Sequence, residues 1–491
     1  MGPSHSPPRP PPAAHLASPS PSSAPSSSAI SDSTSPPDSL SPTAEWLTSH
    51  PVFATKARGI RVRALRFTSS WFSVTMGTGI VNTLLFLIPF SGPHAAFRAL
   101  GACFLVFDML LFAAFSLLTL ARYWLYPKIF WAMIRHETHS LFLGCIPMGF
   151  VTIVSGIAST GHEYGLATLD AALVLYWITV ALSLVIAFGV PYFMVTAHQH
   201  RGETMTAAWL LPIVPLITEA AVGSTLCKLL LSASPPRPHY ALTLLIASYL
   251  QAGIGMLLAA AIITMYLQRL ILHKLPPREV IVSSWLPVGP IGQGGFALIE
   301  LGRVSTTLFP LLSSPASHPE LQFLGPAMLG AGVVTGLLLW GLGIWFAFLA
   351  VVSIATQFTR RREGQEGGGE GRLALFNMGW WAFTFPLGSL TLLTFSLATV
   401  FDSIFFKVCS AIFSFAVLAL WTVVFIPTCV GFFRGTLFAA PCLQSLPKEY
   451  VERMRPVGGG AGGAREKAEG EGPEGEGQRA REGEGITEAG R

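Results

Sequence analysis

An all-α integral membrane fold with ten transmembrane helices is the architecture this sequence predicts, and three observations carry it. Only 12% of the 491 residues are charged and 51% are hydrophobic, whereas an ordinary soluble domain has about 25% charged residues. Mean hydropathy over the chain is +0.55. Ten stretches, at roughly 69–90, 98–121, 141–160, 169–195, 207–231, 240–268, 284–312, 326–355, 376–399 and 405–432, each supply the mostly apolar residues that cross a bilayer as a helix. Several are long enough to tilt or kink. None has the short alternation of a transmembrane barrel strand, and in hydrocarbon only helices and closed barrels satisfy their own backbone.

Before the first segment runs a Pro/Ser tract, residues 1–43, with few large apolar side chains; after the last come Gly, Glu, Arg and Lys repeats, 457–491. Neither buries enough surface to fold, so both are expected to be disordered tails around a ten-helix domain at 60–440. RRREGQEGGGEGR, 360–372, has the same character and is expected to be a linker between segments 8 and 9. Basic residues crowd one set of flanks, from Arg61, Arg63 and Arg66 through Arg122, Arg201 and Lys274 to Arg360 and Arg434, whereas the opposite loops hold Arg98, Lys228, Arg237 and Lys407. That bias places both termini in the cytoplasm, which requires an even number of spans. With no apolar core before residue 69, segment 1 is expected to be a signal anchor. The six cysteines are scattered, which argues against a disulfide framework. The net charge of +5 is spread along the flanks, so orientation accounts for it without a nucleic-acid partner.

Helix breakers and small residues gather on the odd segments. They are Gly77 and Gly79; Gly144, Pro147 and Gly149; Pro212, Pro215 and Gly223; Pro287 to Gly295; and Gly379, Pro386 and Gly388. The even segments are mostly plain Leu, Ala, Val and Phe. Irregular helix is tolerated at membrane depth only where protein or a water-filled cavity satisfies it. The chain therefore reads as five helical hairpins, an inner ring of odd helices around a central pore and an outer ring of even ones against lipid. In segment 1, Thr75, Thr78, Gly79 and Asn82 recur at helical spacing and are expected to face that cavity. Small-residue faces also serve simply to pack membrane helices; on segment 1 alone the packing reading is the stronger, and recurrence on five odd segments favours the cavity.

In segment 9, FNMGWWAFTFPLG, Pro386 removes an amide donor and is expected to kink the helix where Phe385 sits. An aromatic ring at such a kink suits a hydrophobic gate, although on sequence physics alone packing is the favoured reading of Phe383 and Phe385. LPVGPIGQGGF, 286–296, brings Gln293, Gly292 and Gly294 to segment 7, where exposed amides suit an anion. It lacks the spacing and preceding strand of a dinucleotide loop, and no GxxxxGK[ST] occurs, so nucleotide binding is rejected. Ionisable residues in spans are functional candidates. Glu300 and Arg303 are three apart and are expected to pair. Glu219 requires protonation or a base such as Lys228; it is a candidate proton-linked site, with a buried, paired or protonated carboxylate the favoured reading. Asp108 reads as interhelical contact. His198 and His200 form a lone HQH, which is poor support for a metal site. No catalytic constellation stands out, so the chain is not expected to be an enzyme, and no cofactor is implied.

WFSVTMGTGIV at 71–81, SLFLGCIPMGF at 140–150, AAWLLPIVPLI at 207–217, LPP and SSWLPVGPIGQGGF within 275–296, and FNMGWWAFTFPLG at 376–388 together resemble the tellurite-resistance/dicarboxylate transporter family. The likeness spans about residues 60 to 440 and is nearest its fungal sulfite-efflux branch, a relative of plant slow anion channels and malate transporters. It implies a plasma-membrane homotrimer with one pore per subunit, and anion passage gated by a segment 9 phenylalanine, here Phe385 with Phe383 as the alternative. The GPIGQGGF form of segment 7 points to sulfite, with malate or another C4-dicarboxylate as the second substrate. Glu219 and the Glu300–Arg303 pair depart from the sulfite branch. The implied anion path takes in Thr75, Gly77, Thr78, Gly79, Asn82, Pro147, Pro212, Gly292, Gln293, Gly294, Thr384 and Pro386, with hydroxyls and amides replacing part of the ion's hydration shell. A membrane receptor or scaffold acting through its tails is the alternative from another class.

Overall fold

The computed structural model describes residues 60–88, 94–161, 165–312, 319–364, 376–444, 446 and 450. Both expected tails, and the linker beyond residue 364, lie outside them. Every regular element among the described residues is helical. Ten helices are long and apolar enough to cross a membrane. They are α1 (Phe72–Leu87), α2 (His94–Leu125), α3 (Cys145–Gly161), α4 (Leu166–Thr196) and α5 (Val214–Ser232), then α6 (Pro238–His273), α7 (Val288–Leu312), α8 (Pro319–Gly364), α9 (Thr384–Phe401) and α10 (Ile404–Arg434).

Packing sorts these helices into two sets. Each odd helix packs on the even helix that follows it. The odd helices also contact one another in a closed circuit: α1 meets α3, α3 meets α5, α5 meets α7, α7 meets α9, and α9 returns to α1. Glycines allow the close approaches. A Cβ on Gly292 would run into the backbone of Ser389 and Leu390 on α9, and one on Gly77 would meet the Thr384 hydroxyl and the Trp381 ring. The even helices turn large apolar side chains such as Leu257, Phe323 and Phe433 outward, as a lipid-facing layer requires.

The irregularity expected within the odd helices lies instead at their starts. A 3-10 turn precedes each one: Ser69–Trp71, Leu141–Gly144, Ala207–Leu210, Ile281–Trp285 and Met378–Phe383. Pro147, Pro215, Pro290 and Pro386 then fall in the first α turn. Pro386 therefore does not break a continuous helix at Phe385. It occupies a position where the missing amide has no intrahelical partner to lose, and the change of geometry is the 3-10 to α junction between Phe383 and Thr384.

Candidate functional site

Two cavities lie within the ring. The narrow chamber, about 230 Å³, is lined by residues of α1, α3, α5, α7 and α9 alone. The wide chamber, about 920 Å³, opens at the N-terminal ends of the same five helices, among their 3-10 turns and the loops leading into them. On α3, and on the segments leading into α5 and α7, lining residues of the two chambers are seven apart: Cys145 and Thr152, Leu211 and Thr218, Leu286 and Gln293. On α3 that interval is continuous α-helix, two turns or about 10 Å, whereas on α1 Met76 and Ile80 are four residues apart. Into α9 the interval is three residues, from Ala382 of the preceding 3-10 turn in the wide chamber to Phe385 in the narrow one.

Phe385 is only 2% exposed and lines the narrow chamber from α9. Phe383 takes a different place, its ring 5.9 Å from that of Trp285 and 5.8 Å from that of Trp380. Gly77, Thr78, Gly79, Pro147, Pro212, Gly292 and Thr384 fall in sequence between lining residues of the two chambers and line neither of them, and Pro386 follows Phe385. Of the full expected set, Gln293, Phe385, Glu300 and Arg303 line the narrow chamber.

Several side chains point elsewhere than expected. Thr75 donates its proton to Phe72 O at 2.8 Å, Thr78 to Val74 O at 2.7 Å and Thr384 to Trp381 O at 2.9 Å. These hydroxyls are committed to their own helices, and Thr78 also accepts the indole N–H of Trp421 from α10 at 3.1 Å. Asn82 donates to Gly101 O of α2 at 2.6 Å. The polar stripe of α1 therefore faces neighbouring helices, a correction to the expectation of a lumen. The physical reason is that a lone hydroxyl or amide in hydrocarbon is stabilised by any nearby partner, and packed helices supply one. Trp340 on Thr394 and Trp381 on Thr428, both at 3.0 Å, repeat this clasp between inner and outer helices. Gly294 faces Met256 of α6. Gln293 differs from the threonines: its Oε1 is buried without a partner among the described residues.

Charges settle differently as well. Lys228 does not reach Glu219. It pairs with Oε2 of Glu300, whose Oε1 accepts from Ser396 at 2.6 Å and lies 3.4 Å from Arg303. The expected Glu300–Arg303 pair is thus one edge of a larger cluster spanning α5, α7 and α9. Glu219 accepts from Ser183 of α4 while its Oε2 has no partner among the described residues. Asp108 lies fully buried behind Gly79, both oxygens unpartnered in the same sense. The signal that could have found the cluster is Lys228 itself, a cation one turn inside an apolar span.

At the wide chamber the HQH motif meets a second histidine pair. The His200 ring lies 4.7 Å from that of Trp209, tilted at 58°, and His136 lies 4.7 Å from His139 on the loop before α3. Burial pushes the His139 imidazole down to about 3, assisted by the charges of His136 and Arg122, and burial also lowers His136 and His200. No group of three or more His, Cys, Asp or Glu side chains among the described residues is placed to hold a metal ion. Arg269 of α6 ties this mouth together, donating to Glu203 O at 2.9 Å and Lys274 O at 2.5 Å.

Comparison with known proteins adds names to this geometry. A family profile described as voltage-dependent anion channel matches residues 66–429. The sulfite efflux pump of Arthroderma otae is 38% identical over 73% of this chain and 89% of its own length. The sulfite efflux pump of Saccharomyces cerevisiae is 25% identical over 67% and 78%. The malic acid transport protein of Schizosaccharomyces pombe is 24% identical over 70% and 73%.

Proposed function

This chain belongs to the voltage-dependent anion channel family, and from that premise we propose that it exports sulfite or bisulfite through the ring of odd helices, with Phe385 as the gate. The observation that carries the reading is a narrow chamber lined by the five odd helices, Phe385 among them, with a wide chamber at their N-terminal ends; the two support a path that Phe385 would close. Sulfite is favoured over malate because the sulfite efflux pump of Arthroderma otae shares the higher identity, 38% against 24% for the malic acid transport protein, and because the narrow chamber suits a small ion. Malate stands as the second substrate.

Electrostatics supports the direction of flow. In this reading the protein lies in the plasma membrane with both termini cytoplasmic, so the wide chamber opens inward. Five helix N-termini surround it, each end equivalent to about half a positive charge, which raises the local concentration of anions. A monovalent anion leaving a cell whose interior is negative gains about 2.3 kcal/mol per 100 mV. A passive path with a hydrophobic closure therefore suffices for export, and no cofactor is needed. By family resemblance the assembly is a homotrimer with one path per subunit.

Purified protein in sulfite-loaded liposomes tests this. The expected result is sulfite release well above that of protein-free liposomes carrying the same load and little affected by external malate. Release of malate with none of sulfite would transfer the proposal to the dicarboxylate, and release of neither would overturn it. Removing residues 1–43 and 457–491 leaves flux intact in this reading; a receptor or scaffold acting through those tails would lose its function.

A further inference from the structure

We propose that Lys228 and Arg303 form a binding site for a small oxyanion in the narrow chamber, with Glu300 as the buried anchor that holds the two cations in place. The inference rests on the conduction reading above and names the station at which the ion is held beyond Phe385.

The charge count is the starting point. Two cations converge on one carboxylate, so the cluster carries one net positive charge within a membrane-spanning ring. An ordinary structural ion pair would balance one to one, and an unbalanced charge at membrane depth is costly unless water or a counterion reaches it. Exposure shows where that counterion belongs. The Glu300 side chain is 5% exposed, whereas Lys228 is 43% and Arg303 29% exposed, and all three line the same chamber. The carboxylate is thus the embedded partner and the cations are the accessible ones.

Donor inventory gives the ligand class. A lysine ammonium carries three donors and an arginine guanidinium five. Among the described residues each gives one contact to Glu300, Lys228 to Oε2 and Arg303 to Oε1. Several N–H groups therefore remain for a ligand with more than one acceptor oxygen. A guanidinium fork beside an ammonium suits an oxyanion such as sulfite better than a halide, which offers one centre. Ser396 of α9 donates to Glu300 Oε1, the oxygen that Arg303 also approaches, at 2.6 Å, so the anchor is held from α5, α7 and α9. Gln293 lies seven residues before Glu300 on the same face of α7, in the same chamber. Its amide supplies an intermediate contact between the Phe385 level and the cations. A partly hydrated, partly exposed pair binds loosely enough to release the ion, which conduction requires.

The test uses the full-length protein and sulfite itself, with two readouts. In liposomes, Lys228→Gln should raise the sulfite concentration for half-maximal flux about tenfold, the loss of one charge-assisted contact, with maximal flux largely kept. Lys228→Arg should return it to within about twofold of the parent value. In detergent, sulfite should raise the melting temperature of the parent protein, and Lys228→Gln should shift the half-effective concentration upward by a similar factor. Arg303→Gln provides the same comparison should the lysine variant fail to fold. Equal half-effective concentrations in parent and both Gln variants would overturn the site. If no variant and no parent transports sulfite yet the detergent shift behaves as described, it is the conduction reading that fails and the site that stands.

Discussion

Each odd helix is less apolar than the even helix that follows it, yet it is the more buried of the two. In α1 83% of the most apolar window is buried, and in α2 17%. A water-soluble bundle would reverse that relation. Here the outer solvent is hydrocarbon, so the most apolar side chains face outward, and hydroxyls, amides and ion pairs collect where other helices satisfy them. Thr78, Asn82, Ser389 and Thr391 are fully buried on inner helices, while Leu257 of α6 is 75% exposed. Burial in this molecule therefore marks polarity, and the interior is the place to look for chemistry.

The comparison can be broken most forcefully from the outside. Leu257→Lys puts a cation near the middle of α6 on its lipid face and should cost about 3 kcal/mol of insertion free energy, read as loss of correctly inserted protein. Normal insertion would mean that α6 does not face lipid.

Paired glycine substitutions sharpen the same contrast. Gly292→Ala drives a Cβ into the α9 backbone and should destabilise by about 1–3 kcal/mol, as overpacking does. Gly253→Ala, where nothing lies within 4 Å, should instead stabilise by about 0.5–1 kcal/mol. Thermal unfolding in detergent checks both, and equal responses would contradict the two-ring sorting.

The smallest effect concerns the mouth of the wide chamber. His139 is held down to about 3 by burial and by His136 and Arg122, against about 6.5 when unfolded. Between those values the unfolded chain holds a proton that the folded one lacks, so this residue's contribution to stability falls as pH drops below about 6.5. His139→Asn should flatten that acid limb of the melting-temperature profile between pH 6.5 and 4. A profile unchanged by the substitution would place the imidazole in water.

Much of this plan was legible before any coordinates. Ten apolar runs gave ten helices, and breakers on alternate runs gave the inner set, because glycine and proline are tolerated only where neighbours compensate. The family likeness carried by five motifs agrees with the profile match over residues 66–429. Other features needed the fold. Periodicity showed that Thr75, Thr78 and Asn82 share a face, yet it does not say which neighbour that face meets, and Trp421 and Gly101 lie on different elements. The 3-10 starts were hidden because Pro147 or Pro386 reads the same whether it kinks a helix or begins one. Lys228 and Ser396 reach Glu300 from 72 and 96 residues away, a distance over which no local pattern speaks.

Anion current through single purified trimers or monomers in a planar bilayer, parent against Phe385→Ala, tests the central claim most directly. If Phe385 is the gate as proposed, removing its ring should raise sulfite conductance by about tenfold or more, as widening a hydrophobic constriction does, whereas Phe383→Ala should change it little. Equal currents from parent and Phe385→Ala, with both proteins folded, would contradict a path closed at that residue.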